Sequence, residues 1–158
     1  MHLPPNTFKF LPLVSRAFAN AGFYPEMGCA IAHHESSWDP AAKVLTGPDG
    51  NLGGAYGLFQ MTLSTARDLG FAGTIDGLLD PYANVEWAVK LSLRNAKVLK
   101  TKAPLFIIPA HNCGAGHVKS GTVPKSTTDQ YLPAVLGLMD YYRPLCSQYK
   151  IPTAAHAL

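Results

Sequence analysis

Apolar residues recur at helical spacing in several separate segments of the chain. In residues 11–21 they fall three or four positions apart, and Gly22 follows as a helix stop. Pro25 begins a second helical segment that ends near Glu35, and Asp80-Pro81 is an N-cap followed by proline at the first helical position. The same pattern predicts helices over residues 62–69, 81–99 and 129–142, and a helix or a strand over residues 105–110.

Residues 38–55 interrupt the helical pattern. Glycine and proline are concentrated there, and Pro48-Asp49-Gly50 is a turn signal. We therefore expect at most a small β hairpin over residues 38–56, in a fold that is otherwise mainly α. The longest purely apolar stretch, residues 104–110, is far shorter than the roughly 20 residues that cross a bilayer, so we expect no membrane insertion.

Length and composition favour one domain. The chain has 158 residues, a typical size for one domain, and its 47% of hydrophobic residues is too high for a disordered chain. Neither an internal repeat nor a low-complexity tract is present in the sequence. Residues 1–158 are therefore expected to form a single domain, which we expect to be a monomer.

Charged residues are distributed unevenly along the chain. The net charge of +3 is too small an excess to indicate nucleic-acid binding, and no nucleic-acid partner is expected. Residues 87–128 contain seven Lys and Arg residues and no Asp or Glu. This stretch is either a solvated surface or one that steers the protein toward an anionic target. Glutamate is scarce, and a reaction that needs a carboxylic acid has few candidates.

The three cysteines, Cys29, Cys113 and Cys146, permit at most one disulfide bond, whose pairing the sequence leaves open. Free or buried thiols in a protein made in the cytosol are the favoured alternative. The apolar run after Lys9 is broken by Pro12 and Arg16, so it does not resemble a secretory signal. We expect synthesis in the cytoplasm without a signal peptide.

Glu35 is the first candidate for catalysis. It lies where the second predicted helix ends, next to the glycine-rich loop. The negative end of the helix dipole disfavours an ionised carboxylate there, which suits a general acid. The alternative is an exposed or capping glutamate without a catalytic role.

Two further motifs present polar side chains beside glycines. In Gly57-Leu58-Phe59-Gln60 a turn would present the Gln60 amide to a pocket, although a solvated glutamine is equally consistent. In Ala110-His111-Asn112-Cys113-Gly114 an apolar segment runs into two polar residues. The Asn112 amide both donates and accepts hydrogen bonds, as recognition of an acetamido group requires.

Metal and cofactor sites are not predicted. His33-His34-Glu35 lacks the second histidine that a helical zinc motif needs, because Trp38 stands at that position. Asp49, Asn51 and Gly53 are spaced as in a calcium loop, but Gln60 replaces the glutamate at its twelfth position. A phosphate-binding glycine-rich loop is also absent from the sequence.

Four segments, taken in order, resemble the motifs of the soluble lytic transglycosylase and goose-type lysozyme superfamily. They are Glu35-Ser36-Ser37, residues 57–60, residues 110–114 and Tyr131. The resemblance is strongest over residues 25–142. It implies a lysozyme-like fold and cleavage of the β-1,4 bond between N-acetylmuramic acid and N-acetylglucosamine in peptidoglycan. It also implies that Glu35 is the acid/base, and that the residues which orient Glu35 or bind the sugar chain are Ser36, Gln60, His111, Asn112 and Tyr131.

Two reaction outcomes remain open within this resemblance. A lytic transglycosylase needs one carboxylate and leaves a 1,6-anhydro-muramic end, whereas an inverting lysozyme needs a second carboxylate roughly 6.5–9.5 Å away. Asp49 is the candidate for that second group and Asp39 the reserve, although both positions also suit turns. The further aspartate of goose-type enzymes would fall near Thr62, so transglycosylation is favoured.

His111 departs from the superfamily pattern, which has tyrosine at this place. We hypothesise that His111 contacts Glu35 or the sugar, the alternative being a histidine of the core or surface.

The origin and partners follow from the same resemblance. The expected substrate is the peptidoglycan glycan strand, and the small chain suggests a phage endolysin released through a holin or a lysozyme carried on a virion. A secreted bacterial toxin would instead imply an inhibitor or immunity protein. The non-enzymatic alternative is a glycan-binding or virion structural module.

Overall fold

The structure, a computed structural model, describes residues 2–45 and 54–149. Helices dominate it, which confirms the predicted mainly α fold, and residues 105–110 belong to a helix rather than a strand. The helices are α1 (Thr7–Asn20), α2 (Pro25–Ser36), α3 (Leu63–Asp68), α4 (Ile75–Leu79), α5 (Pro81–Leu99), α6 (Pro104–Cys113), α7 (Ala115–Ser120) and α8 (Leu132–Cys146), the last continuing from a π-helical turn (Thr127–Tyr131).

The β structure is larger than the hairpin expected over residues 38–56. Three two-residue strands, β1 (Lys43–Val44), β2 (Ala55–Tyr56) and β3 (Met61–Thr62), form an antiparallel sheet in that order. The third strand lies beyond the predicted range, because residues 57–60 form a tight turn that folds the chain back onto β2.

Helix α2 lies at the centre of the core, between α1 and α8. Its residues from Pro25 to Ala32 are all buried, which explains why this segment lacks a polar stripe. Close approach of α1 requires Gly28, because a Cβ atom at this position would lie 2.4 Å from the Phe18 ring. The buried surroundings fix the direction of α2 and therefore the place where Glu35 emerges.

The turn after α2 is anchored by Trp38. Ser37 and Trp38 both have left-handed backbone angles, with φ of 51° and 64°, which end the helix directly after Ser36. The fully buried Trp38 donates from Nε1 to the Tyr142 hydroxyl at 2.6 Å, and His33 Nδ1 lies 2.9 Å from the same oxygen. Burial raises the pKa of Tyr142 to about 12, so its hydroxyl stays protonated and the end of α2 stays tied to α8.

The cysteine thiols are free in the structure. Two of them, Cys29 of α2 and Cys146 of α8, are buried with their sulfur atoms 3.6 Å apart, and both contact the Ser15 hydroxyl. Burial raises the pKa of Cys29 well above its usual value, so this thiol is protonated and packs as a core residue.

Within the described residues, none of the helices is both long and apolar enough to cross a membrane.

Candidate active site

Glu35 and Tyr131 form the centre of the candidate site. Glu35 is the penultimate residue of α2 and is partly exposed. Tyr131, only 6% exposed, donates its hydroxyl to Glu35 Oε1 at 2.7 Å. Burial, followed by the Glu35 charge, raises the pKa of Tyr131 well above its usual value. Tyr131 is therefore a permanent donor that holds one carboxyl oxygen in place.

Two cavities meet at this pair. The first, of about 360 Å³, lies between the sheet and α6 and is lined by Glu35, Gln60, His111 and Asn112 among apolar residues. The second, of about 410 Å³, is lined by Tyr131 and again by Asn112. The Glu35–Tyr131 hydrogen bond therefore joins a residue of the first cavity to a residue of the second, and Asn112 lines both.

The turn of residues 57–60 forms one wall of the first cavity. Gly57 has a φ of +74°, and a Cβ atom there would lie 2.6 Å from Asn84 Nδ2. Gln60 donates from Nε2 to the carbonyl oxygens of Gly57 and Ala42, at 2.9 and 3.2 Å. Its Oε1 is buried and lacks a partner among the described residues, so it is available to accept a hydrogen bond from a ligand.

Asn84 of α5 holds this turn in place, a role that was not predicted from the sequence. Fully buried, it accepts from Phe59 N at 2.9 Å and donates to Tyr56 O and Leu78 O at 2.8 and 2.7 Å. All three partners are backbone groups. One sequence feature could have indicated that Asn84 is buried. It lies three residues after Pro81, on the first turn of a helix that must pack against the core.

Ser36 positions the end of α2. Its hydroxyl lies 3.1 Å from Ala32 O and 2.9 Å from Leu58 O, and it donates to these carbonyls. The bond to Leu58 joins the helix end that carries Glu35 to the turn that carries Gln60.

His111 of α6 lies in the same cavity as Glu35. Its Nε2 is 3.4 Å from Phe59 O, while Nδ1 is buried without a partner among the described residues. Burial lowers the pKa of His111, and the nearby Glu35 charge opposes this only in part. The neutral ring donates from Nε2 to the carbonyl and leaves Nδ1 as an acceptor without a partner among the described residues.

Asn112 is oriented by the π-helical turn. Its Oδ1 accepts from the Thr127 hydroxyl at 2.6 Å, and Thr127 is 1% exposed. The amide is therefore held at the border of both cavities.

Three other acidic residues of the described part of the chain lie outside the first cavity. Glu26 pairs with Arg143 near the beginning of α2, and the exposed Glu86 pairs with Lys90. Asp39 is exposed and accepts a hydrogen bond from Ala41 N at 2.9 Å. This contact is the turn-forming role that the sequence offered as the alternative to a second catalytic carboxylate. Asp49 lies outside the described residues.

Metal ligands do not cluster in the described part of the chain. Residues 2–45 and 54–149 contain no group of three or more His, Cys, Asp or Glu side chains that could hold an ion.

Comparison with known proteins places these features in a family. The model of the transglycosylase SLT domain matches residues 13–131. A membrane-bound lytic murein transglycosylase F of Desulfosudis oleivorans is 31% identical over 112 residues, which cover 70% of this chain and 23% of that protein. One of the same name from Shewanella halifaxensis is 32% identical over 95 residues, covering 57% and 18%. The chain thus spans about a quarter or less of the length of these curated relatives.

A solved structure shows the same fold. The 70 kDa soluble lytic transglycosylase of Escherichia coli superposes with a TM-score of 0.73 at 23% identity, over 98% of this chain and 26% of that one. This likeness confirms the fold expected from the sequence. The match over most of its length shows that the chain belongs to the transglycosylase SLT domain family.

Proposed function

We propose that the chain cleaves the β-1,4 bond between N-acetylmuramic acid and N-acetylglucosamine in peptidoglycan, as a lytic transglycosylase. The observation that carries the proposal is the Glu35–Tyr131 pair at the junction of two cavities. A glycan strand bound across both cavities would pass the Glu35 carboxyl group in mid-strand. Family membership and the printed names of the relatives support this assignment.

In the proposed reaction Glu35 acts twice. As an acid it protonates the glycosidic oxygen that leaves C1 of the muramic residue. As a base it then takes the proton from the C6 hydroxyl of the same residue, whose oxygen closes the 1,6-anhydro ring. Bond breaking and ring closure balance without water, so one carboxyl group is sufficient. Glu35 is the one acidic side chain among the described residues that line the first cavity, and Asp49, the candidate second carboxylate, lies outside the described residues.

The other polar groups would bind and orient the sugar. Gln60 Oε1 and His111 Nδ1 are buried acceptors without partners among the described residues, and each could accept from an acetamido N–H or a hydroxyl group. Asn112 offers its amide at the border of the cavities. Tyr131 holds the Glu35 carboxyl group against the reacting bond.

The cellular setting is part of the proposal. We propose a monomer that acts on peptidoglycan outside the cytoplasmic membrane, released through a holin or carried on a virion. Delivery as a toxin would bring an inhibitor protein as partner.

Release of soluble fragments from purified peptidoglycan tests the activity. We expect the turbidity of a sacculus suspension to fall and soluble disaccharide-peptides to appear. A chain that co-sediments with sacculi and releases nothing would instead be the glycan-binding module.

Replacing Tyr131 by phenylalanine should lower kcat about 10-fold and leave KM within about twofold. The variant keeps the ring but loses the charge-assisted hydrogen bond to Glu35, which is worth roughly 1.5–3 kcal/mol. Steady-state release of soluble fragments measures both constants. Tyr82→Phe is the control, because Tyr82 lines a different cavity. A rise in KM at constant kcat would contradict the orienting role.

Replacing His111 by tyrosine should flatten the pH dependence of stability. The unfolded chain protonates this histidine near pH 6.5, whereas burial lowers its pKa in the folded state. As pH falls below about 6.5 the unfolded state therefore binds more protons, and stability falls until the folded-state pKa is reached. We expect the Tm of the His111→Tyr variant to fall less than that of the wild type between about pH 6.5 and pH 5.

The control for this pH profile is His2→Tyr, because His2 is exposed. His33, whose pKa burial also lowers, is present in all three proteins and contributes equally to each. Parallel profiles for the wild type and the His111→Tyr variant would contradict the burial of a neutral His111.

A further inference from the structure

Exposed apolar side chains are concentrated at the junction of α5 and α6. Among the described residues nine large apolar side chains are exposed, and four of them lie within residues 93–106. Their exposed fractions run from 40% for Leu93 and Val98 to 59% for Leu105. Scattered single residues of this kind are ordinary, but a cluster marks an interaction surface.

Cations surround these side chains. Arg94, Lys97 and Lys100 are exposed and Lys102 partly so, within a stretch of 42 residues (87–128) that contains no acidic residue. None of the ion pairs in the described part of the chain involves these four residues. We define the 93–106 patch as Leu93, Arg94, Lys97, Val98, Lys100, Lys102, Leu105 and Phe106.

The patch contains an apolar groove with a cationic border. Leu93 and Lys97 lie on one face of α5, and with Ala96, Lys100 and Lys102 they line a cavity of about 580 Å³. Leu105 and Phe106 begin α6 only three and four residues beyond Lys102, which limits their distance from it to about 15 Å. The lysine stems therefore share the surface of the cavity with Leu93 and Ala96, and Leu105 and Phe106 lie close to it along the chain.

The Lys102 end of the patch lies far from the candidate active site. Lys102 Nζ donates at 3.0 Å to the carbonyl oxygen of Ala21, which lies just before α2 begins. Glu35 lies at the opposite end of α2, ten residues beyond Pro25, or about 15 Å along the helix axis. A surface bound at the patch would leave the cavities at Glu35 open.

We propose that the 93–106 patch docks the protein on the surface of an anionic phospholipid bilayer. The lysine and arginine groups bind lipid phosphates, and Leu93, Leu105 and Phe106 enter the boundary between headgroups and acyl chains. A soluble polyanion would use the cations but would gain nothing from the exposed apolar side chains. Such docking lies beyond the proposed cleavage of glycan strands and does not depend on it.

Co-sedimentation with lipid vesicles tests the proposal. We expect the 158-residue chain to bind vesicles of phosphatidylglycerol and phosphatidylethanolamine at about 0.15 M salt, and vesicles of phosphatidylcholine at least about 10-fold more weakly. Lys97→Glu with Lys100→Glu should weaken binding to the anionic vesicles at least about 10-fold. The matched control is Lys119→Glu with Lys125→Glu, the same charge change at exposed lysines outside the patch, with an effect below about threefold.

A second pair of variants separates the bilayer from other anions. Leu105→Ser with Phe106→Ser keeps every charge and should weaken vesicle binding at least about fivefold. Thermal melts monitor the folding of each variant, so a loss of binding at unchanged Tm supports the proposal.

Four results would overturn the proposal. The first is that the wild type does not bind anionic vesicles, and the second is that the patch and control lysine variants weaken binding equally. The third is that the Leu105→Ser/Phe106→Ser variant binds vesicles as the wild type does. The fourth is that a patch variant changes the oligomeric state of the chain and not its vesicle binding. The third result would indicate a polyanion site, and the fourth a contact between copies of the chain.

Discussion

Replacing Glu35 by glutamine is expected to lower the rate of glycan cleavage about 10³-fold. Glutamine has the same shape and can still accept the Tyr131 hydrogen bond, but it can neither donate a proton to the leaving oxygen nor take one from the C6 hydroxyl. Binding to sacculi should be retained, because the polar groups of both cavities are unchanged. Release of soluble fragments measures the rate, and co-sedimentation with sacculi measures the binding.

Glu86→Gln is the matched control for this variant. Glu86 is an exposed residue of α5 paired with Lys90, so its loss should leave the rate within about twofold. A Glu35→Gln variant with more than about a tenth of the wild-type rate would show that another group supplies the proton.

Replacing Asn84 by aspartate is expected to lower the free energy of unfolding by about 3–5 kcal/mol. The new carboxyl oxygen would face the carbonyls of Tyr56 and Leu78 at hydrogen-bond distance in place of a donor, without access to water. Cleavage should fall as well, since the turn that carries Gln60 loses its anchor. Urea unfolding followed by circular dichroism gives the free energy.

The pH dependence of this loss tests its electrostatic origin. A protonated carboxyl group can donate to one of the two carbonyls, so the destabilisation should shrink as the pH is lowered. Asn20→Asp, an exposed change at the last residue of α1, should cost no more than about 0.5 kcal/mol. A loss for Asn84→Asp no larger than that of the control would contradict the anchoring role.

The sequence predicted most of the helices, because their apolar periodicity and their end signals are local, but it did not predict α4 and α7, which have only five and six residues. Pro25, Gly22 and Asp80-Pro81 mark helix ends within a residue or two of where the structure has them. The sheet was less predictable. A strand of two residues, such as β3, is too short to show alternation, and its pairing depends on the turn before it.

Contacts between distant residues explain most of what the sequence did not predict in the site. Asn84 bonds to groups 25 and 28 residues away, so its role as an anchor could not be inferred from its neighbours. The hydrogen bond from Ser36 to Leu58 O joins residues 22 positions apart, so the sequence around Ser36 does not predict it. The left-handed angle of Trp38, a bulky residue, is imposed by its burial against Tyr142 and carries no local signal.

The most direct test of the central claim is mass spectrometry of the fragments released from purified peptidoglycan by the wild type. One-carboxylate chemistry at Glu35 predicts muropeptides that are lighter than lysozyme products by one water molecule and that resist borohydride reduction, as 1,6-anhydro-muramic ends do. Fragments with reducing muramic ends would contradict the account and indicate a water molecule held by a second carboxylate.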